Sequence, residues 1–203
     1  MSVALKAEAP LDAYRGESPL IDVGHPAVQD CAKTLAGQGA SECEIVQALY
    51  EFVRDQVAHS WDIQSRRVTA RASDVLRHRE GICYAKSHLL AALLRTVNIP
   101  CGLCYQKLTL GDTPETGYCL HALNAVYLSD TQRWIRLDAR GNKPGIDAQF
   151  SLTEERLAFS IREQMGERDY AEIYAEPPAP IVQALMTHSD CRLMYQNGLP
   201  TDL

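Results

Sequence analysis

Among the cysteines, histidines and aspartates of this chain, Cys83, His121 and Asp138 have the residue types and positions suited to acyl-transfer chemistry. Cys83 stands in the predicted first turn of the most apolar helix, where unpaired amides and the helix dipole favour an anion. A thiolate held there is a nucleophile, and the same amides can donate to an oxyanion formed at an attacked carbonyl. Buried free cysteines are common, however, so the position by itself does not decide the function of Cys83.

The histidine and the aspartate fall at opposite ends of two predicted neighbouring strands. His121 begins one strand and Asp138 ends the next. If the two strands pair antiparallel through a turn at residues 129–130, these two side chains become neighbours, and the carboxylate can fix the imidazole tautomer. Each residue alone has an ordinary structural explanation, as a hydrogen-bonded core histidine or a turn aspartate. Together with Cys83 they predict nucleophilic thiol catalysis.

Helical signals fill the first half of the chain, which must position the cysteine. Pro26 suits a first helical turn, Ser41 and Glu44 have the spacing of a capping box, and Pro100 ends the most apolar helix. Apolar residues recur at helical spacing in between. Four helices are predicted, over residues 25–36, 42–58, 72–76 and 82–97.

After residue 100 the pattern changes to strands. Three segments with β-type composition are separated by turn-rich sequence, over residues 101–110, 119–128 and 133–137. Helices followed by antiparallel strands predict an α+β fold, with the nucleophile at a helix N-terminus packed on the sheet. Three further elements are predicted: a short strand near residues 20–23, a helix starting at 151–154, and a C-terminal helix over 181–195.

Three short segments carry a resemblance to a known family. They are GICYA at residues 81–85, CLHA at 119–122 and WIRLDA at 134–139. In this order they resemble the transglutaminase-like superfamily, and the resemblance covers roughly residues 72–141. It implies a papain-like α+β core in which Cys83, His121 and Asp138 form a Cys-His-Asp triad.

The resemblance also implies an organisation and an activity. We expect an N-terminal arm over residues 1–24, a catalytic domain over 25–176, and a C-terminal helical extension over 177–203 packed on that domain. The superfamily includes cross-linking acyltransferases, peptidases and peptide-amidases. A cysteine hydrolase or acyltransferase that acts on peptide or amide bonds through a thioester is therefore expected, and hydrolysis is favoured because the calcium-loop carboxylate spacing is missing.

Two other functions fit the same residues. One is a catalytically inactive module that binds peptides or proteins, for which an intact triad would be unnecessary. The other is acyl transfer from a thioester donor such as acetyl-coenzyme A, although no glycine-rich loop suited to phosphates supports it. A peptide or amide substrate is the expected partner, and the sequence leaves the oligomeric state open.

Three more side chains are weaker candidates for the site. Trp61 is the nearest upstream candidate for a second oxyanion donor, and packing in a loop explains it equally well. Tyr84 and His88 are near the nucleophile on the same helix and could line the cleft. The expected rims of the cleft are the loops over residues 59–71, 111–117 and 141–150.

A zinc site is the main competing interpretation of the cysteines. Cys101, Cys104, Cys119 and His121 have zinc-like residue types and spacing. A separation of three in a strand, however, directs Cys101 and Cys104 to opposite faces. Such a site would also consume His121 and leave Cys83 and Asp138 unexplained, so we expect neither a metal nor another cofactor.

Composition limits the remaining classes of protein. The 203 residues carry a net charge of −6, which argues against binding to nucleic-acid phosphates. No apolar run approaches the roughly 20 residues of a membrane span, and residues 1–10 lack the pattern of a secretory signal. Seven cysteines, an odd number, argue against a disulfide framework. A cytoplasmic protein that binds neither membranes nor nucleic acid is expected.

Overall fold

A computed structural model describes residues 3–203 of the chain. In this part of the chain four helices precede the main strands and two follow them, as expected for an α+β protein. The helices are α1 (Pro26–Ala36), α2 (Glu42–Gln56), α3 (Ala72–His78), α4 (Cys83–Thr96), α5 (Ala179–Thr187) and α6 (Cys191–Asn197). The strands are β1 (Lys6–Ala7), β2 (Ala58–His59), β3 (Glu80–Gly81), β4 (Cys101–Thr109), β5 (Tyr118–Leu128), β6 (Arg133–Leu137), β7 (Arg168–Asp169) and β8 (Glu172–Ile173).

The predicted start signals of the first two helices are confirmed. Pro26 occupies the first turn of α1. At α2 the capping box is complete, because the Glu44 amide donates to Ser41 Oγ at 3.4 Å and the Ser41 amide donates to Glu44 Oε2 at 2.8 Å. These bonds satisfy amides that the first turn of a helix leaves without partners.

Helix α4 is the central element of the core. Residues 84–95 are all buried, which is typical of a helix that is covered on every side. Helices α1, α2 and α3 pack against it, and β4 and β5 cover another face. Asn124 Nδ2 on β5 donates to the Ser87 carbonyl at 3.0 Å, and this bond fixes the helix along the sheet. The start of α4 is therefore held by the most buried part of the molecule.

The main sheet has the strand order β6-β5-β4-β7. Strands β4 and β5 pair antiparallel over their whole length, from Cys101 opposite Val126 to Thr109 opposite Tyr118. Strand β6 pairs with residues 124–128 of β5 and leaves residues 118–123 without a strand on that side. The antiparallel pairing predicted from the turn at residues 129–130 is thus confirmed.

Two small parallel pairs attach other segments to this core. β2 pairs with β3, and its register places His59 opposite Gly81, just before Cys83. β1 pairs with β8 at the other side of the molecule. There the buried Tyr14 of the N-terminal arm donates its hydroxyl to the Ile173 carbonyl at 2.7 Å. Residues 1 and 2 of the predicted arm lie outside the described residues.

Three predicted elements are wrong. Residues 20–23 form turns, in which Ser18 and Ile21 exchange main-chain hydrogen bonds of 3.1 Å. The helix expected at residues 151–154 does not form: the Ser151 hydroxyl accepts from the Thr153 and Glu154 amides as a helix cap would, but the chain continues as bends. The single helix expected over residues 181–195 is broken into α5 and α6, since Asp190 caps a new helix by accepting from the Arg192 amide at 2.9 Å.

The C-terminal helices pack against the main core. Ile181 and Leu185 of α5 and Met194 of α6 belong to the cluster of buried residues around α4. Within residues 3–203, no helix combines the length and the apolar character that crossing a bilayer requires.

Candidate active site

Cys83 is the first residue of α4, as the sequence predicts. The N-cap residue Ile82 makes no side-chain hydrogen bond to the helix, and the first main-chain bond runs from the Lys86 amide to the Ile82 carbonyl at 2.9 Å. The amides of the first turn therefore remain available to an anion. The Cys83 side chain is half-buried and lines a cavity of about 530 Å³, in which a ligand can reach it.

His121 and Asp138 meet at the end of the β5–β6 pair. The ladder ends with Asn124 opposite Leu137, so the two side chains project from the point where β6 stops. His121 Nε2 donates to Asp138 Oδ2 at 2.8 Å, and both residues are buried. His121 lines the same cavity as Cys83. The structure thus brings the three predicted residues together.

The charge state of His121 follows from its neighbours. Burial on its own lowers the pKa of His121, but the Asp138 carboxylate and the Cys83 side chain beside the ring raise that pKa to about 10. The imidazole is therefore protonated at neutral pH, and its Nε2 hydrogen is bound by Asp138. The other ring nitrogen, Nδ1, is left to interact with the Cys83 side chain.

The carboxylate of Asp138 is itself held in place. Burial would raise the pKa of Asp138, but His121 and two main-chain amides lower it below its usual range. The Arg140 amide donates to Oδ1 at 3.1 Å, and the Ala158 amide donates to Oδ2 at 3.0 Å. Asp138 is thus an ionised group with a fixed orientation, as a residue that orients a histidine requires.

His59 also lines the cavity, at the start of the predicted rim over residues 59–71, although sequence reasoning assigned it no role of its own. It is 5% exposed, and its Nδ1 is buried without a hydrogen-bond partner in the described residues. Burial, together with the nearby Arg140, holds the pKa of His59 well below its usual range. A neutral imidazole carries one N–H, so His59 can donate a single hydrogen bond into the cavity.

The three weaker candidates lie in different places. Tyr84 lines the cavity, but it is buried and donates its hydroxyl to the Leu120 carbonyl at 2.7 Å. Trp61 stacks on Tyr195, with ring centroids 4.2 Å apart, and is not part of the cavity lining. His88 is fully buried away from the lining and pairs its Nδ1 with the Ala70 carbonyl at 2.9 Å.

The second half of the chain supplies walls that sequence reasoning did not find. Phe159 packs edge-on against the His121 ring, with centroids 4.9 Å apart. Tyr195 and Leu199 close another side. Phe159 and Leu199 lie outside the predicted helices and strands, and the predicted helix over residues 181–195 does not indicate that Tyr195 reaches the cavity. The three predicted rim loops contribute four lining residues, namely His59, Gly111, Asp112 and Gly145.

The zinc arrangement is not assembled. Cys101 packs in the main core around α4, whereas Cys104 packs in a second cluster with Tyr14 and Ile173, on the other face of the sheet. His121 is bound to Asp138. Across residues 3–203 there is no group of three or more histidine, cysteine, aspartate or glutamate side chains that could hold a metal ion.

The sequence matches one family model, described as the Transglutaminase-like superfamily, over residues 29–139. The match covers more than half of the chain and includes Cys83, His121 and Asp138. The chain belongs to the transglutaminase-like superfamily. The resemblance of the three short sequence segments is thereby confirmed. No curated protein matches the chain.

Parts of two solved structures are similar to part of this chain. A candidate cysteine protease from Cytophaga hutchinsonii superposes with a TM-score of 0.52 at 22% identity, covering 64% of this chain and 42% of that protein. The periplasmic domain of TgpA from Pseudomonas aeruginosa has a TM-score of 0.47 at 19% identity, covering 65% of this chain and 48% of that one. This transglutaminase-like chain therefore spans less than half the length of either structure.

Proposed function

We propose that this chain is a cysteine enzyme that breaks a peptide or amide bond through a thioester intermediate and transfers the acyl group to water. One observation carries the proposal. Cys83, at the open start of α4, lines the same cavity as His121, whose far nitrogen is bound by a buried aspartate. This is the arrangement that thiol nucleophiles require.

The first half of the reaction forms the thioester. The Cys83 thiolate attacks the carbonyl carbon of the amide and a tetrahedral oxyanion forms. The main-chain amide of Cys83 donates to the oxyanion. Protonated His121 then gives its Nδ1 proton to the amine as the carbon–nitrogen bond breaks, and the acyl group remains on sulfur.

The second half releases the acid. His121, now neutral, takes a proton from a water molecule as its oxygen attacks the thioester. The carbon–sulfur bond breaks, and the thiolate and the imidazolium return to their starting states. Asp138 keeps the ring oriented in both halves and stabilises its charged form.

His59 is our candidate for the second oxyanion donor, in place of Trp61. Its ring lines the cavity, its register beside Gly81 brings it close to the nucleophile, and its neutral state leaves one N–H to donate. The Trp61 ring is instead stacked on Tyr195. A His59→Phe variant should lower kcat more than it raises KM, because the lost bond is strongest in the transition state.

The competing functions share the fold. They differ in whether Cys83 reacts at all and in which molecule accepts the acyl group. A non-catalytic binding module would need no ion pair between the thiol and the histidine, but the buried His121–Asp138 bond favours such a pair. An amine in place of water as acceptor would use the same groups, and product analysis in the presence of a primary amine distinguishes the two.

Alkylation of the protein by iodoacetamide across pH tests the proposal, with each cysteine read by mass spectrometry. We expect Cys83 to be labelled faster than any other cysteine, and we expect this labelling to be slowed in His121→Ala. Cys43, which is also partly exposed, shows whether the substitution alters labelling elsewhere. If His121→Ala leaves the labelling of Cys83 unchanged, the binding module is the correct interpretation.

A further inference from the structure

The last part of the described chain contributes to the wall of the cavity that contains Cys83 and His121. Residues 190–203, here called the C-terminal strap, are fastened at several points. The Cys191 amide donates to the Arg66 carbonyl at 2.8 Å, and the Tyr195 ring stacks on Trp61. Near the end of the strap, Asp202 accepts from Lys107 at 3.1 Å. The strap is thus a fixed part of the wall beside the cavity.

The strap also occupies a main-chain position beside the catalytic histidine. Strand β6 leaves residues 118–123 of β5 unpaired on one side, and an extended peptide could add there as a further strand. The Leu120 amide instead donates to the Pro200 carbonyl at 2.8 Å. The Leu120 carbonyl accepts from the Tyr84 hydroxyl at 2.7 Å. Both main-chain groups of Leu120, the residue before His121, are therefore taken by the protein itself.

The size of the cavity agrees with a small substrate. Its volume of about 530 Å³ lies within the range of small-molecule sites, about 300–1,000 Å³. Tyr195 and Leu199 of the strap form one wall. An extended polypeptide that continues beyond the scissile bond on the side of the strap would meet that wall.

The remaining lining is mixed in character. Two of the charged lining residues are engaged within the protein, because Arg140 binds Asp62 at 2.6 Å and Glu167 binds Arg162 at 2.7 Å. The rest combines apolar side chains with polar ones. The apolar part is formed by Leu108, Leu110, Phe159, Tyr195 and Leu199, and the polar part includes Thr109, Asp112 and Ser160.

We propose that the substrate is a small amide or the end of a peptide chain, and that the C-terminal strap excludes the interior of a polypeptide. The inference rests on the proposed function, since it concerns what the Cys83 nucleophile attacks. It assigns a specificity role to a segment that lies beyond the residues matched by the superfamily.

Irreversible probes test the inference without depending on turnover. A short probe carries a vinyl sulfone, which accepts the thiolate, next to a single N-acetylated leucine. A long probe carries the same group flanked by five residues on each side. We expect Cys83 to react with the short probe at least about tenfold faster than with the long one. Equal rates for the short and long probes would overturn the inference.

Opening the strap tests its part directly. In Leu199→Ala and Tyr195→Ala we expect the ratio of the long-probe rate to the short-probe rate to rise several-fold. Leu193→Ala is the matched control, because Leu193 lies on α6 and is 57% exposed. If the long probe gains nothing in variants that still react with the short probe, the strap does not exclude polypeptides.

The two proposals can fail separately. If both probes label Cys83 no faster than Cys43, the proposed function is wrong and this inference falls with it. If Cys83 reacts selectively but accepts the long probe as readily as the short one, the proposed function stands and the inference that the strap excludes polypeptides is wrong. The unfolding temperature of each variant shows whether a loss of short-probe labelling reflects unfolding.

Discussion

The triad residues and the walls of their cavity come from two regions of different construction. Residues 81–140 form a helix and a sheet with continuous main-chain hydrogen bonds. Residues 141–178 contain two short strands and little other regular structure, yet they cover the site. In the first region position follows from secondary structure. In the second it depends on single bonds from side chains to the main chain.

Two contacts show how the second region is placed. The Ala158 amide donates to Asp138 at 3.0 Å, so the irregular segment is tied to the triad itself. Glu167 is buried and accepts from the Thr109 amide at 3.1 Å and from the Arg162 amide at 2.8 Å. Under the proposed function, the chemistry belongs to the regular region, whereas the irregular one contributes walls that meet the substrate.

The largest expected effect breaks the chemistry in the regular region. Cys83→Ala should reduce amide turnover by at least about 10³-fold, because no other group can form the thioester. The unfolding temperature should hardly change, since the side chain is half-buried and small. Measured kcat/KM and thermal unfolding check both expectations. Cys43→Ala should retain full activity, and turnover that survives in Cys83→Ala would contradict the mechanism.

The next effect concerns the histidine's partner. Asp138→Asn should lower kcat by roughly 10²-fold, because His121 loses the group that orients it. Asp130→Asn, an exposed change in the turn before β6, should leave kcat unchanged and is the matched control. A fully active Asp138→Asn variant would show that the buried bond of 2.8 Å does not serve catalysis.

The same variant predicts a change in pH dependence. With the pKa of His121 at about 10, the imidazolium needed to protonate the leaving amine persists at alkaline pH and is lost only as pH rises through that value. The alkaline limb of kcat/KM should therefore lie near pH 10 in the native protein. In Asp138→Asn the pKa falls towards the ordinary value of about 6.5, so the limb should shift to lower pH.

Much of the regular region could be predicted from the sequence. The capping box at Ser41, the apolar helix starting at Cys83 and the antiparallel strands are local patterns, and each predicts one element directly. The proximity of His121 and Asp138 followed from strand pairing across a short turn. These predictions hold because main-chain hydrogen bonds between close neighbours determine the geometry.

The rest of the site could not be predicted, because it is not positioned by main-chain hydrogen bonds between close neighbours. The Ala158 amide meets Asp138 across 20 residues of irregular chain. Tyr195 reaches the cavity on a helix whose start depends on Asp190 capping it. His59 faces the cavity because a two-residue strand pairs parallel with β3, and no periodicity signals so short an element. Contacts of this kind depend on the folded core and have no local pattern.

A moderate effect is expected where the irregular region is fastened. Glu167→Gln should lower the free energy of unfolding at neutral pH by about 1–3 kcal/mol, because buried donors on Thr109 and Arg162 lose an ionised acceptor. KM should rise while kcat changes less, since Glu167 lines the cavity rather than the triad. Glu163→Gln, at an exposed position nearby, is the control. Urea titration and steady-state kinetics measure both effects.

This contribution should depend on acid pH. Burial would raise the pKa of Glu167, but its bonds with Arg162 and Thr109 lower it to about 2. A carboxylate with a lowered folded pKa stabilises the protein above its unfolded value and loses that effect as pH falls. The difference between the native protein and Glu167→Gln should therefore shrink between about pH 4.5 and pH 2. A difference that stays constant over this range would contradict the assignment.

A smaller effect is expected at the stack that holds the C-terminal strap. Trp61→Ala should cost about 1–2 kcal/mol of unfolding free energy, because the Tyr195 ring loses a partner at 4.2 Å. KM should change more than kcat, since Trp61 lies outside the cavity lining. Trp61→Phe keeps an aromatic surface and should recover much of both. A drop in kcat alone would instead favour Trp61 as an oxyanion donor.

The smallest effect separates the two kinds of fastening in the strap. Arg66 pairs with Asp190 at 3.0 Å, but its side chain is 76% exposed, so solvent screens the attraction. Arg66→Ala should therefore change the unfolding free energy by less than about 0.5 kcal/mol. The Arg66 carbonyl still accepts from the Cys191 amide in this variant, because that bond belongs to the main chain. A loss comparable to that of Trp61→Ala would show that surface charge, rather than stacking and main-chain bonding, holds the strap over the active site.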